Sequence, residues 1–504
     1  MISNIIFIKN KTIIPLLAIF FVGLIIRIYY FPFELPLIAD GLDNFTYATA
    51  INYFGYLPTE WTPPSNGWPI FLSFWFSIIN LDNTLQYMQL QRIISIILSS
   101  LTIIPIYFLC KKFFDKKIAL IGVSLFIFDP RIILNSLLGI QESLFILLQI
   151  SALVIFLKYD RKWMILSFIL ASFTTIVRAE GIFLVLTFTV LFFIRFKISK
   201  EIIKTYIPCI VIFLLILTPI MMYKIDVTGN DAMFQRVAHG TNQILTNTNQ
   251  EGTNEIIAGL ELFVKYLGWI MIPIFIIFLP FGTIQFIRKR SKETNFIIVY
   301  LIIVSLPSLY GYIMQAQDTR YLYILYPIFC LISLFAVKTF IAKFPRKNLI
   351  LIIMISGILI SSIGFYEYKK INYEQEVEFN IIAKDIPVIP TGLNYHPELR
   401  GYLIAAEIPN EWPFLFNDQT RERKMIKTTG YDNLEDFISN SRGNLTHLIV
   451  DKNSELPKFL QNVYYNEDEY EYLVKEFDSK DNGFKHHIKL FKIDYQKFDS
   501  QNNT

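Results

Sequence analysis

Two carboxylates, Asp40 and Asp43 in Ile38-Ala-Asp-Gly-Leu-Asp-Asn-Phe-Thr-Tyr47, lie just beyond the first hydrophobic run of the chain. Carboxylates beside a bilayer are costly and usually persist there for ion, proton or substrate chemistry. The bland role for Asp43 is to cap a helix starting at Asn44. Asp40, between Ala39 and Gly41, has no helix of its own to cap. Further on, Asp129-Pro-Arg131 precedes Gln141-Glu-Ser143, which places Glu142 about one turn inside its helix. The turn Arg178-Ala-Glu180-Gly181 ends in a residue able to take a positive φ. Gln317-Asp318-Thr319-Arg320-Tyr321 opens another apolar segment. An arginine there can grip a phosphate with two parallel donors. Each motif has a plainer reading: Glu142 pairing with Arg131 or Arg178, Arg178 with Glu180, and Arg320 anchored to lipid headgroups.

The elements that must position these groups are mostly membrane helices. Of the 504 residues, 53% are hydrophobic, 16% aromatic and only 17% charged, against about 25% charged in soluble domains. A net charge of +4 gives no case for nucleic acid. Cys110, Cys209 and Cys330 sit inside apolar runs and read as small buried hydrophobes. A span needs about 20 apolar residues, and the pattern predicts helices over 13–31, 90–110, 118–128, 138–157, 163–177, 182–195, 205–223, 262–287, 295–314, 321–341 and 348–366. The first is read as a retained helix rather than a signal peptide, because no small-residue cleavage site follows it.

Basic clusters test this arrangement. Lys9/Lys11, Lys111 to Lys117, Lys158 to Lys162, Arg195 to Lys204, Arg288 to Lys292 and Lys343 to Lys347 all fall on one side, which the positive-inside rule makes cytoplasmic. The outer segments are then 32–88, 129–137, 178–181, 224–261, 315–320 and the tail after 367. Within the first, the aromatic run 68–79 reads as an interfacial helix, and 224–261 as a polar, mobile lid. The polar tail predicts strands at Thr446–Val450 and His487–Ile493 and helices at Leu434–Asn440 and Glu467–Phe477. Asn44-Phe-Thr46 and Asn444-Leu-Thr446 match the glycosylation acceptor pattern. The expected fold is mainly α: a polytopic bundle of about eleven transmembrane helices (1–366, first outer loop 32–88) with a small extracytoplasmic α/β domain (367–504). The N-terminus is expected to be cytoplasmic.

The ionisable residues therefore gather on the outer face, where an enzyme meets the headgroup of a membrane-anchored substrate. A transporter would more often place them near the midplane. In order and context these features resemble the GT-C superfamily of membrane glycosyltransferases, above all its protein O-mannosyltransferase and aminoarabinose-transferase-like branch. The resemblance covers about 13–366 and rests on Asp40, Pro63-Pro64 to Trp68-Pro69, Asp129-Pro with Glu142-Ser143, Arg178-Ala-Glu-Gly181 and Arg320-Tyr-Leu-Tyr-Ile-Leu-Tyr-Pro327. It implies a sugar carried on a polyprenyl phosphate, transfer with inversion, and a first-loop carboxylate acting at the acceptor. Asp40 and Glu142 are then the catalytic candidates, with Asp43, Arg178, Glu180, Asp318, Arg320 and Tyr321 binding substrate. The acceptor is a protein, lipid or glycan. Oligosaccharyltransferases of the superfamily carry a Trp-Trp-Asp-Tyr-Gly motif. This tail has Trp412 as its one tryptophan and no such motif, which argues against transfer of whole glycans to asparagine.

Metal dependence stays open at this point. Asp40, Asp43 and Glu142 together could hold Mg²⁺ or Mn²⁺ through oxygen ligands; equally, Glu142 could pair with Arg178 and leave Asp40 an unassisted base. The readings from other classes are a transporter or flippase of lipid-linked sugars, and a silent scaffold.

Overall fold

The computed structural model describes residues 10–59, 62–158, 160–196, 200–231, 250–289, 291–369, 373–385, 392–405, 425–452, 456–485 and 487–502. The chain divides into two compact units. The first comprises 1–31, 59–71 and 92–370, and the second 32–58, 72–91 and 371–504. Two stretches of the loop 32–88 thus fall with the tail rather than with the bundle.

Helices appear wherever an apolar run was read. In chain order they are α1 (Asn10–Tyr29), α2 (Ala39–Phe54), α3 (Gly67–Ile78), α4 (Thr84–Leu101), α5 (Ile103–Phe113), α6 (Lys116–Ile127), α7 (Pro130–Leu137), α8 (Glu142–Phe156), α9 (Arg161–Val177), α10 (Ile182–Arg195), α11 (Lys200–Thr228), α12 (Gln250–Met271), α13 (Phe278–Arg288), α14 (Lys292–Ile313), α15 (Tyr326–Ala342) and α16 (Lys347–Lys369). Among the described residues, five helices are long and apolar enough to cross a membrane, or six if α6 and α7, bent by 52°, form one span. This is a multi-pass membrane protein. Helix α15 is buried on nearly every side, as a segment apolar all round must be in a bundle.

Three departures from the sequence pattern have local causes. The segment 129–137 is helix α7 rather than a loop. The Asp129 carboxylate accepts from the Arg131 and Ile132 amides, 2.9 and 3.3 Å away, and Pro130 sits where a missing N–H costs nothing. The run 262–287 is not one helix, since α12 stops at Met271 and α13 starts at Phe278. Pro273 withholds a backbone donor there, and Arg131 binds the carbonyls of Trp269 and Ile272 at the break. Of the expected lid, 224–228 continues α11 and 250–261 begins α12, while 232–249 lies outside the described residues.

The second unit contains α2 and a five-stranded sheet. Its elements after α16 are α17 (Glu374–Asp385), β1 (Leu393–Asn394), α18 (Pro397–Ala405), β2 (Met425–Ile426), α19 (Leu434–Asn440), β3 (His447–Val450), α20 (Lys458–Tyr465), β4 (Leu473–Asp478), β5 (Lys489–Ile493) and α21 (Tyr495–Asn502). Strand order is β2-β1-β3-β5-β4. Strands β1, β2 and β3 run parallel, and β5 pairs antiparallel with β3 and β4. Side chains alternate between faces. Leu448, Val450, Phe491 and Ile493 enter one core with Leu460 and Val463. Ile449 and Leu490 enter the other with Phe379, Leu393 and Leu35 of the first loop. The helix expected over Glu467–Phe477 is instead strand β4 after a short 3₁₀ turn, Glu467–Glu469. Pairing with β5 from Leu473↔Ile493 to Asp478↔Lys489 outweighs the helical preference of its Lys and Glu.

Candidate functional site

In the first unit the sequence candidates form two clusters. Helix α9 ends at Arg178, whose backbone is extended at φ −150°, and a 3₁₀ turn, Ala179–Gly181, feeds α10. Gly181 has φ −57°, so its value here is closeness rather than a positive φ. A Cβ at Gly181 would stand 2.5 Å from the Thr175 amide nitrogen. Gly67 at the start of α3 is pressed against the same helix end, where a Cβ would stand 2.7 Å from the Val177 nitrogen. Two glycines thus fix the backbone that carries Arg178.

Glu142 is the first residue of α8, not one turn inside it, because α7 occupies the preceding segment. Its place is set by Trp68, whose indole donates to Gly139 O at 3.0 Å, and by a 2.9 Å bond between Ser95 and Ser143. Arg178 Nη1 reaches Glu142 Oε1 at 2.6 Å and Nη2 reaches Glu180 Oε1 at 2.8 Å. Both plain pairings of the sequence reading are therefore present in one triad. Burial works against the Arg178 charge, but the Glu180 and Glu142 carboxylates outweigh it and hold the guanidinium above its ordinary pKa. Glu142 is 5% exposed. Its Oε2 is buried and has no hydrogen-bond partner among the described residues. Such an oxygen is costly to leave unmatched and can accept from an incoming hydroxyl.

The second cluster opens α15. Asp318 is extended at φ −133° and caps the 3₁₀ turn Thr319–Leu325. Its carboxylate accepts from the Arg320 amide at 2.8 Å and from Arg320 Nε at 2.5 Å. Ser308 Oγ donates to Tyr321 O at 2.5 Å, and the Tyr312 hydroxyl to Asp318 O at 2.9 Å. The Arg320 side chain remains 32% exposed.

Asp40 and Asp43 belong to the second unit. Helix α2 begins at Ala39, with Ile38 as its N-cap, so Asp43 does not cap a helix from Asn44. Asp40 lies in the first turn and is exposed; exposed amides at a helix start suit a carboxylate. Asn44 is buried and its amide donates to Asp40 O at 2.6 Å. Asp43 is bridged by Arg400 of α18 at 2.7 Å. Among the described residues no three His, Cys, Asp or Glu side chains gather closely enough to hold a metal; Glu142 and Asp43 each face an arginine instead.

Sequence reasoning missed three groups. Arg27 in α1 is fully buried and donates to Ser136, Ser99, Gly23 O and Ile127 O, holding the bend between α6 and α7. Lys224 is buried and binds Thr62 Oγ1 and Pro63 O. Arg400 is the third. Only an ionisable residue inside an apolar run, as at Arg27 and Lys224, could have flagged them.

Residues 69–223 match the family model of dolichyl-phosphate-mannose-protein mannosyltransferases. No curated protein matches the sequence. Among solved structures, the chain is similar to the Archaeoglobus fulgidus oligosaccharyltransferase in complex with Zn and sulfate, with 12% identity, 86% of this chain and 68% of that one covered, and TM-score 0.55. It is also similar to AglB from the same organism in complex with an inhibitory peptide and a dolichol-phosphate (11%, 86% and 69%, TM-score 0.54). ArnT from Cupriavidus metallidurans bound to undecaprenyl phosphate gives 10%, 96% and 97%, and TM-score 0.55. At these identities the likeness to the structures is one of fold. The matched stretch and the likeness of fold both agree with the resemblance drawn from the sequence. Within the GT-C superfamily, the matched model is the protein-mannosyltransferase one.

Proposed function

We propose that this chain moves one sugar from a polyprenyl-phosphate donor to a hydroxyl-bearing acceptor on the outer face of the membrane, with inversion at the anomeric carbon. The observation that carries the reading is the Glu142–Arg178–Glu180 triad: a buried carboxylate with one unmatched oxygen beside a guanidinium kept charged, in a chain of GT-C-like fold. In this reading the N-terminus is cytoplasmic and about eleven helices cross. Residues 1–366 handle the donor, and 367–504 lie outside and help to recognise the acceptor.

The acceptor oxygen attacks the anomeric carbon as the bond from that carbon to the phosphate oxygen breaks. Asp40 takes the acceptor hydroxyl proton, and polyprenyl phosphate leaves as an anion. Arg320, oriented by Asp318 and followed by Tyr321, binds the phosphate, and Arg178 adds positive charge where negative charge develops. Glu142 orients the sugar by accepting from a hydroxyl, Glu180 holds Arg178, and Asp43 is positioned by Arg400. The protein is tested after purification, with labelled polyprenyl-phosphate sugars and an acceptor extract. General-base catalysis contributes about 10²–10⁴-fold, so Asp40→Asn should lose turnover by that factor with donor binding kept, and Arg320→Ala should weaken donor binding. Wild-type turnover by Asp40→Asn overturns the mechanism. Donor movement across sealed vesicles without sugar transfer would replace the reading with a flippase. Loss of transfer on chelation, restored by Mg²⁺ or Mn²⁺, would add a divalent cation to the site.

A further inference from the structure

At the end of the first unit that carries the basic clusters, a cavity of about 690 Å³ opens among α5, the end of α8, the end of α10 and the start of α14. Its size is that of an ordinary small-molecule site. Phe108 and Val154 stand among its apolar wall residues, and Lys112, Lys158, Arg195 and Glu293 are its charged ones. All four charged residues are exposed, whereas Phe108 and Val154 are half-buried. Lys112 Nζ donates to Leu157 O at 2.7 Å, and the Lys158 ammonium lies 3.4 Å from the Trp163 ring centre. The Lys112 head is thus held at the C-terminal end of α8 and the Lys158 head against the first turn of α9.

We propose that this cavity binds an anionic phospholipid of the adjoining leaflet, its phosphate among Lys112, Lys158 and Arg195 and its acyl chains along the apolar wall. Three positive groups and one negative give the lining a net charge of +2. A free anion would meet the charge but leave the wall wet. A second copy of this chain would bring the same lysine-rich end against it, and like charges repel. An amphiphile with one anionic head satisfies both halves, and basic pockets between membrane helices are suited to such heads. The inference is independent of the reaction proposed above, and none of its residues is assigned to that chemistry.

The test is native mass spectrometry of the full chain released from micelles of mixed phosphatidylglycerol and phosphatidylcholine. Each basic group near an anionic head is worth roughly fivefold in affinity, so a net two predict retention of phosphatidylglycerol by about thirtyfold. The triple variant Lys112→Gln/Lys158→Gln/Arg195→Gln should lose that preference while keeping its helical circular dichroism. Glu293→Gln, which removes the opposing charge, should raise it about fivefold. A control in another basic cluster, Lys343→Gln/Lys347→Gln, should leave it unchanged. Equal retention of both lipids, an unchanged preference in the triple variant, displacement by inorganic phosphate alone, or a dimer in place of bound lipid would each overturn the proposal.

Discussion

Replacing Glu142 separates a structural ion pair from a working carboxylate. In Glu142→Gln the side chain keeps its shape, and the amide oxygen can still accept from Arg178 Nη1, now 2.6 Å from Glu142 Oε1. Arg178 also keeps Glu180 at 2.8 Å. The exchange replaces a hydrogen bond between charged partners, worth about 1.5–3 kcal/mol, by one with a neutral acceptor, so roughly 1 kcal/mol of stability should go. Glu142→Ala is different. With Arg178 12% exposed and Glu142 5% exposed, deleting the Glu142 side chain leaves the guanidinium with Glu180 alone and should cost about 1–3 kcal/mol. If Glu142 orients the reacting sugar through a charge-assisted hydrogen bond, Glu142→Gln should cut turnover per folded molecule by about fivefold, a loss that counting folded molecules separates from its small thermal shift. Size-exclusion chromatography gives the folded fraction, thermal denaturation gives stability, and labelled-sugar transfer gives turnover. Unchanged turnover in Glu142→Gln would refute the sugar-orienting role and leave the triad as scaffold.

Other outcomes follow from the same geometry. Gly181→Ala places a Cβ 2.5 Å from backbone that cannot yield, and overpacking of this kind should cost about 1–3 kcal/mol and impair transfer; thermal denaturation with activity checks it. The Asp43–Arg400 pair is half exposed on the Asp43 side, so Arg400→Met should cost under about 1 kcal/mol yet raise the acceptor KM at constant kcat. An unchanged KM would sink the substrate-binding role of Asp43. In the tail, burial pushes the Glu467 carboxyl up, but Lys475 and Lys489 outweigh it and hold its pKa below the ordinary value. Its stabilising contribution is present above the ordinary carboxylate range and is lost as pH falls through the lower folded value. Acid unfolding followed by tail-specific proteolysis should therefore be less steep in Glu467→Gln.

What the sequence made legible is what depends on local chemistry. Apolar runs placed the helices of the bundle, and alternation placed β3 and most of β5, because burial imposes those periods directly. Glu467–Phe477 was misread because its Lys and Glu favour helix locally while its partner strand, β5, comes later in the chain. The start of α2 was misplaced because Asp43 offered a local cap for a helix from Asn44, yet the Gly41 amide already bonds to Ile38 O in the first helical turn. Partners were less legible still. Glu142 with Arg178 was among the pairings the motifs offered, but Arg400 lies 357 positions from Asp43, and Arg27 reaches Ser136 across 109. No spacing rule reports contacts of that range.

The two arginine turns share a construction that bears on the proposed donor chemistry. In each, an extended residue precedes a 3₁₀ turn that runs into a helix: Arg178 before α10, and Asp318 before α15. In each, a carboxylate and an arginine two positions apart bond across that turn, Arg178 with Glu180 and Arg320 with Asp318. An i to i+2 pair cannot form on one face of an α-helix, so the extended residue and the tighter turn are what allow it. The result fixes a guanidinium at a helix start, where unpaired amides already favour an anion. Arg178 is enclosed by two carboxylates and is 12% exposed, whereas Arg320 bonds Asp318 and is 32% exposed. If both bound phosphate equally, removing either would weaken donor binding alike. The difference in enclosure argues for a division instead, with Arg320 gripping the phosphate and Arg178 setting the field around Glu142. Arg320→Lys, which keeps the charge but loses the paired donors, should weaken donor binding with little change in stability. Arg178→Lys should instead lower stability first, because its two carboxylates are left imperfectly matched. Equal loss of donor affinity in both variants would overturn the division.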